Sequence, residues 1–112
     1  MNKKGGEIFV CHRETENTEE VCKNSDILVS AAGQAGLVNK NFVNKEQVIV
    51  DVGINRIKKN DKSEIVGDVL FEEVAPLVKA ISPVPGGVGL ITVACLFENL
   101  IDLIFNQISE PL

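Results

Sequence analysis

Ser82-Pro83-Val84-Pro85-Gly86-Gly87-Val88-Gly89-Leu90-Ile91-Thr92 is the stretch on which the reading of this chain turns. Prolines fix φ and remove donors, whereas glycines open φ > 0 and let other groups approach the backbone. The stretch therefore describes a rigid arm that ends in a permissive cradle. Beyond it, apolar residues recur from Leu90 through Val93, Phe97, Leu100 and Ile104 to Ile108, which predicts one helix from Val88 to Ile108, buried on most sides. The first turn of that helix offers free N–H groups and a positive dipole end to whatever occupies the cradle. Composition leaves two readings open here, a ligand cradle or a tight strand-to-helix turn. Glu98, Asn99, Asp102 and Asn106 interrupt the apolar run, so no membrane span is expected.

Outward from the arm, toward the N-terminus, the chain alternates between strands and helices. Ala80-Ile81 reads as a last brief strand, and Gln47 to Val52 as the clearest buried one. Asp26 to Ser30 reads as another fully buried strand, and Glu7 to Cys11 as the first. Thr15 or Asn17 can cap a helix through Cys22, with Glu19 and Glu20 in its first turn. A short helical turn is expected around Asn39 to Val43, and a solvated charged loop from Lys58 to Glu64. Gly67-Asp68 and Phe71-Glu72-Glu73-Val74 begin a further helix, which Pro76 must kink or shorten. Apolar strands separated by helices give an α/β class with a parallel sheet and helices on both faces.

At 112 residues the chain forms one domain, and its net charge of −5 argues against a nucleic-acid partner. Cys11, Cys22 and Cys95 are odd in number and joined by a single histidine, so they make neither a disulfide framework nor a metal site. They read as reduced core thiols in a cytosol-like compartment. Residues 1–6 carry basic side chains with no apolar stretch behind them; they are expected to be disordered and are neither a secretory signal nor an anchor.

In an open parallel sheet, ligands bind beyond the carboxyl ends of the strands, which singles out the loops starting at His12, Ala31, Gly53 and Ser82. His12-Arg13 is either a solvated pair or the element that separates NADP from NAD, since an arginine suits a 2′-phosphate. Gly-x-Gly-x-x-Gly is absent. No serine or cysteine has a context for activation, and His12 reads as a loop residue rather than a catalyst. Asp51 and Asp68 read as turn or cap acids, and Arg56 as an anion binder or half of an ion pair.

Three segments in order, Val50-Asp-Val-Gly-Ile-Asn-Arg56, Val66-Gly-Asp-Val69 and Ser82-Pro-Val-Pro-Gly-Gly-Val-Gly89, resemble the bifunctional methylenetetrahydrofolate dehydrogenase/methenyltetrahydrofolate cyclohydrolase family. The likeness runs from about Ile8 to about Asn99 and covers the C-terminal part of that family's NAD(P)-binding domain. It implies a Rossmann-like domain, here residues 7–112, without its first strand and its Gly-Arg-Ser phosphate motif. His12 and Arg13 would lie near the adenosine ribose and 2′-phosphate of NADP, with NAD the less favoured cofactor. Gly53, Ile54 and Thr92 would also contact the cofactor. Pro85, Gly86 and Gly87 would border the cleft where folate meets nicotinamide. Leu90-Ile91-Thr92 departs from the family's usual Pro-Met-Thr, and Leu70 stands where an acid is common.

The family's catalytic lysine and tyrosine belong to its N-terminal domain, so no catalytic residue is assigned here and the chain is expected to be inactive alone, as a fragment or truncated product. The resemblance further implies folate one-carbon metabolism, a homodimer, no membrane, and a cytoplasmic setting, or a mitochondrial one where a longer precursor exists. The alternative is a small non-catalytic α/β binding or interaction module derived from the same fold.

Overall fold

Small residues at the exits of apolar strands let the chain turn back over a parallel sheet. In the computed structural model, which describes residues 6–109 with side chains as far as Asn106, the elements follow in this order. Helix α1 (Thr18–Lys23) leads to strand β1 (Ile27–Ser30), a 3-10 turn over Lys40–Phe42, and strand β2 (Val48–Asp51). Strands β3 (Asn55–Lys59) and β4 (Lys62–Val66) precede helix α2 (Phe71–Val74), a 3-10 turn at Ala75–Leu77, strand β5 (Ala80–Ile81) and helix α3 (Val88–Ser109). β1, β2 and β5 form a parallel sheet in that order, with Ser30 opposite Asp51 and Ile49 opposite Ile81. Of the N-terminal stretch expected to be disordered, all but Gly6 lies outside the described residues.

The core gathers Cys22, Val38, Phe42, Val43, Val69 and Val74 around Ile49 of the central strand. Gln47, wholly buried, donates through Nε2 to the Cys22 carbonyl at 2.6 Å and to Ser25 Oγ at 2.9 Å. It thereby ties the end of α1 to the start of β2 without leaving a buried amide unpaired. Pro76 ends α2 after one turn, as its missing N–H requires. Of the three cysteines only Cys22 is in the core, and burial pushes its thiol up; Cys95 is exposed on α3.

Several expectations are corrected. Glu7 to Cys11 forms no strand, because a strand exists only through a ladder partner and none of the described residues pairs with this segment; Ile8, Phe9 and Val10 are exposed. β1 is a strand but not a buried one, since Ile27 is 62% and Val29 56% exposed. The charged run from Lys58 to Glu64 is an antiparallel hairpin, not a loop: Asn60 and Asp61 take φ of 54° and 62° as the two central residues. Positive φ at both positions matches the twist of the strands, which asparagine and aspartate tolerate. The helix expected from Gly67-Asp68 onward starts only at Phe71, for Val69 bridges Val38 instead.

Helix α3 departs most from its sequence reading. Its apolar residues from Leu90 to Phe105 are 49–68% exposed wherever they are large, so the helix is not buried on most sides. It stands off the sheet, and the radius of gyration is 17.3 Å against about 13 Å for a compact domain of this length. Val88–Asn106 also meets the length and composition of a membrane span at a mean hydropathy of 2.0, so its polar interruptions alone do not exclude one.

Two buried carboxylates organise the carboxyl end of the sheet. Asp51, at the end of β2, accepts from the amides of Gly53 at 3.0 Å, Asp68 at 3.1 Å and Val69 at 3.1 Å. Asp68 is fully buried and accepts from Ala32 at 2.7 Å, Gly33 at 3.3 Å and Gln34 at 2.9 Å, all backbone, and from Ser30 Oγ and Asn55 Nδ2, both at 3.0 Å. Burial pushes the Asp68 carboxyl up, but the hydrogen bonds from Asn55, Ala32, Ser30 and Gln34 outweigh it and hold the group below its ordinary value. A side chain at Gly53 would run into the Asp68 carboxylate, and one at Gly67 into that of Asp51. The Asp51 amide in turn donates to Ser82 Oγ at 2.9 Å, which anchors the proline-glycine arm.

Two outcomes follow from this arrangement. Asp68→Asn puts an NH₂ among amide donors and should cost about 2 to 4 kcal/mol in urea unfolding at pH 7. Because the folded-state carboxyl lies low, its contribution is complete above about pH 4 and lost as pH falls through the folded value, so wild type and variant should converge in acid. A gap that persists unchanged into acid would contradict the charged network. Separately, the bare β1 edge and α3 should drive self-association at micromolar concentration in sedimentation, relieved by Leu100→Glu with Ile104→Glu. A monomer with a sharp, concentration-independent unfolding transition above about 60 °C would contradict that expectation.

Candidate functional site

The loop after β2, the proline-glycine arm after β5, the first turns of α3 and Ile65 of the hairpin enclose a groove of about 500 Å³. That is within the usual range for a small-molecule site. Each wall follows from local chemistry. Gly53 must be glycine because Asp68 fills the space behind it, and this leaves Ile54 turned out and 68% exposed. Gly86 has φ of +97°, a conformation open to glycine, and a side chain at Gly87 would strike the Pro83 carbonyl. The Val84–Pro85 bond is cis. The Leu90 amide donates to the Gly87 carbonyl at 3.2 Å, so α3 starts directly from the arm.

The structure brings together six of the residues singled out from the sequence: Gly53, Ile54, Pro85, Gly86, Gly87 and Thr92 all line this groove. His12 and Arg13 do not. They lie in a turn before α1, where the Thr15 amide donates to the His12 carbonyl at 3.0 Å and the Glu14 amide to His12 Nδ1 at 3.2 Å. His12 is thus a turn acceptor, and Arg13 is exposed beside it. A shallower depression of about 680 Å³ beside α1 is flanked by Glu19, Glu20 and Lys23. Its two acids are ill suited to a phosphate.

The groove is mostly apolar, and its polar groups are engaged within the fold. Val52, Ile54, Ile65, Pro85, Leu90 and Val93 make its walls apolar. The Thr92 hydroxyl donates to the Val88 carbonyl at 3.0 Å within its own helix. Asp51 reaches the groove, but its carboxylate oxygens accept backbone amides and are held in the frame. Among the described residues no lysine, histidine, cysteine or tyrosine lines the groove. Ile65 carries no local signal in the sequence, since its place at the groove is set by pairing within the hairpin. Sequence reasoning also missed Ser30 and Asn55, whose roles depend on where Asp68 comes to rest.

With this geometry in place, comparison with known proteins is direct. The family model described as tetrahydrofolate dehydrogenase/cyclohydrolase, NAD(P)-binding domain, matches residues 1–108. The bifunctional protein FolD 1 of Acinetobacter baylyi is 44% identical over 105 residues, which are 94% of this chain and 35% of that protein. The crystal structure of the bifunctional 5,10-methylenetetrahydrofolate dehydrogenase/cyclohydrolase from Thermoplasma acidophilum superposes with a TM-score of 0.82 at 40% identity, covering 91% of this chain and 36% of that one. That of the Trypanosoma brucei enzyme, complexed with NADP cofactor and inhibitor, gives 0.76 at 35% identity over 82% of this chain and 32% of that one. The chain therefore spans about a third of the length of the relatives it matches. By the family match and by the fold, this chain belongs to the tetrahydrofolate dehydrogenase/cyclohydrolase family, to its NAD(P)-binding domain.

Proposed function

We propose that residues 7–112 act as the NADP-binding part of a methylenetetrahydrofolate dehydrogenase/methenyltetrahydrofolate cyclohydrolase, and that these residues alone catalyse neither reaction. The observation that carries this reading is the convergence of Gly53, Ile54, Pro85, Gly86, Gly87 and Thr92 on one groove at the carboxyl end of a parallel sheet. The residues present fit the nicotinamide end of the cofactor: a flat ring can lie between Ile54 and the Pro85–Gly87 arm, where glycine leaves backbone exposed to it. When bound, the nicotinamide supplies hydride transfer.

The chain's own contribution is to bind and orient. Ile54 and Leu90 would shield a bound nicotinamide from water, and the arm, anchored by Ser82 to β2, would set where a folate substrate meets it. Arg13, outside the groove, would meet the 2′-phosphate at the adenosine end. Catalysis fails in these residues alone because the groove holds no group able to transfer a proton. The activity named for the Thermoplasma acidophilum relative supports a folate substrate, reached through the rest of such an enzyme.

One series of measurements tests this. The 112-residue chain should show no oxidation of methylenetetrahydrofolate above background, whereas fusion to the lysine-bearing and Gly-Arg-Ser segments of a relative should give a dinucleotide site that prefers NADP. Arg13→Glu in that fusion should weaken NADP by about tenfold to a hundredfold, the worth of one charge-assisted contact, and reverse the preference. Activity in the chain alone would overturn the division of labour. Unchanged NADP binding in Arg13→Glu would overturn the assignment of the His12-Arg13 turn. No dinucleotide binding by the fusion would favour a non-catalytic interaction module instead.

A further inference from the structure

Antiparallel pairing decides which side chains of the β3–β4 hairpin share a face, because directly opposite residues point the same way and neighbours along a strand alternate. Arg56 lies opposite Ile65 and Lys58 opposite Ser63, so these four share one face. Asn55, Ile57 and Lys59, with their partners Val66, Glu64 and Lys62, share the other. Two observations fix the orientation. Ile65 lines the groove, and so does Ile54, two residues before Arg56. On the opposite face Asn55 donates to the buried Asp68, and Asn55, Ile57 and Val66 are half-buried while Arg56, Lys58 and Ser63 are exposed.

On the face that carries Ile65 the hairpin strands therefore hold two cations, Arg56 and Lys58, and no acid, just outside the residues that line the groove, in a chain whose net charge is −5. Glu64, the only acid within the two strands, faces away. The groove itself has apolar walls, and the carboxylate at its floor is bound to backbone amides. Any anionic group on an occupant would find its counter-charge on this rim. Arg56 is the better placed of the two, being next to Ile65 and Ile54, and its planar guanidinium can grip a phosphate or carboxylate through two parallel hydrogen bonds.

We propose that Arg56, with Lys58 one step outward, forms an anion-binding rim that takes a phosphate or carboxylate of the molecule seated in the groove. This rests on the reading of the groove as a ligand site. The anion has two sources, the phosphate beside a nicotinamide ribose or the glutamate carboxylates of a folate, and paired probes separate them. Nuclear magnetic resonance titrations of the full chain would compare nicotinamide riboside with nicotinamide mononucleotide, and pteroic acid with folic acid. In wild type the more anionic member of one pair should bind about tenfold tighter. Arg56→Gln should abolish that advantage, Arg56→Lys should keep part of it, and Lys59→Gln, on the far face, should leave it intact. The pair that shows the advantage identifies the source.

An advantage that survives Arg56→Gln would overturn the rim. So would equal binding within both pairs, with the signals of Gly53, Ile54 and Gly87 still moving, although the groove would then stand as a ligand site. If no probe moves those signals, both readings fall together. Arg56 is exposed and outside the core, so the circular dichroism and unfolding of Arg56→Gln should match those of Lys59→Gln, which separates lost binding from lost fold.

Discussion

Two carboxylates buried at one end of a small sheet hold this structure in shape. A buried charge is costly unless its lone pairs are filled, and Asp51 and Asp68 fill theirs with backbone amides rather than with a cation. That choice has a structural consequence. An ion pair would fix two side chains, whereas amide donors fix the loops that carry them: 32–34 after β1, Gly53 after β2, and 68–69 before α2. Ser82 adds the fourth loop through the Asp51 amide. The groove exists because these loops are held in one place, so its shape depends on carboxylates whose oxygens are taken up by the frame.

Much of this was legible in the sequence, for identifiable reasons. β2 and β5 announce themselves by apolar runs with strand formers, Pro76 must end its helix, and the proline-glycine arm restricts the backbone so strongly that its residues converge with Gly53 and Ile54 as expected. Asp51 and Asp68 read as turn acids, which is what they are, but their partners could not be read. Ser30 and Asn55 reach Asp68 across 38 and 13 positions, and no local pattern encodes such a distance. The hairpin is hidden because its turn is Asn60-Asp61, without the glycine that signals positive φ, and because half of its strand residues are charged. Periodicity correctly made α3 a helix, yet it cannot say whether a partner is present to cover the apolar face.

That last difference is also physical. A chain about one third the length of its relatives retains the site-bearing end of the sheet while leaving apolar surface on β1 and α3 without cover. The described core is small, with seven buried apolar residues. Polar fastening by Gln47, Asp51 and Asp68 accordingly carries a larger share of specificity than in a domain with a deep core. The loops that shape the groove are thus the same loops that satisfy the buried charges.

Native-state hydrogen exchange tests the central claim most directly. If the two carboxylates lock the loops to the sheet, the amides of Ala32, Gln34, Gly53, Asp68 and Val69 should be protected to the same opening free energy as that of Val52, which donates to the Ser30 carbonyl between β1 and β2. Exchange of those five at the rates of unprotected loops, with Val52 still protected, would contradict it: the carboxylates would then be passengers, and the groove would owe its shape to something else.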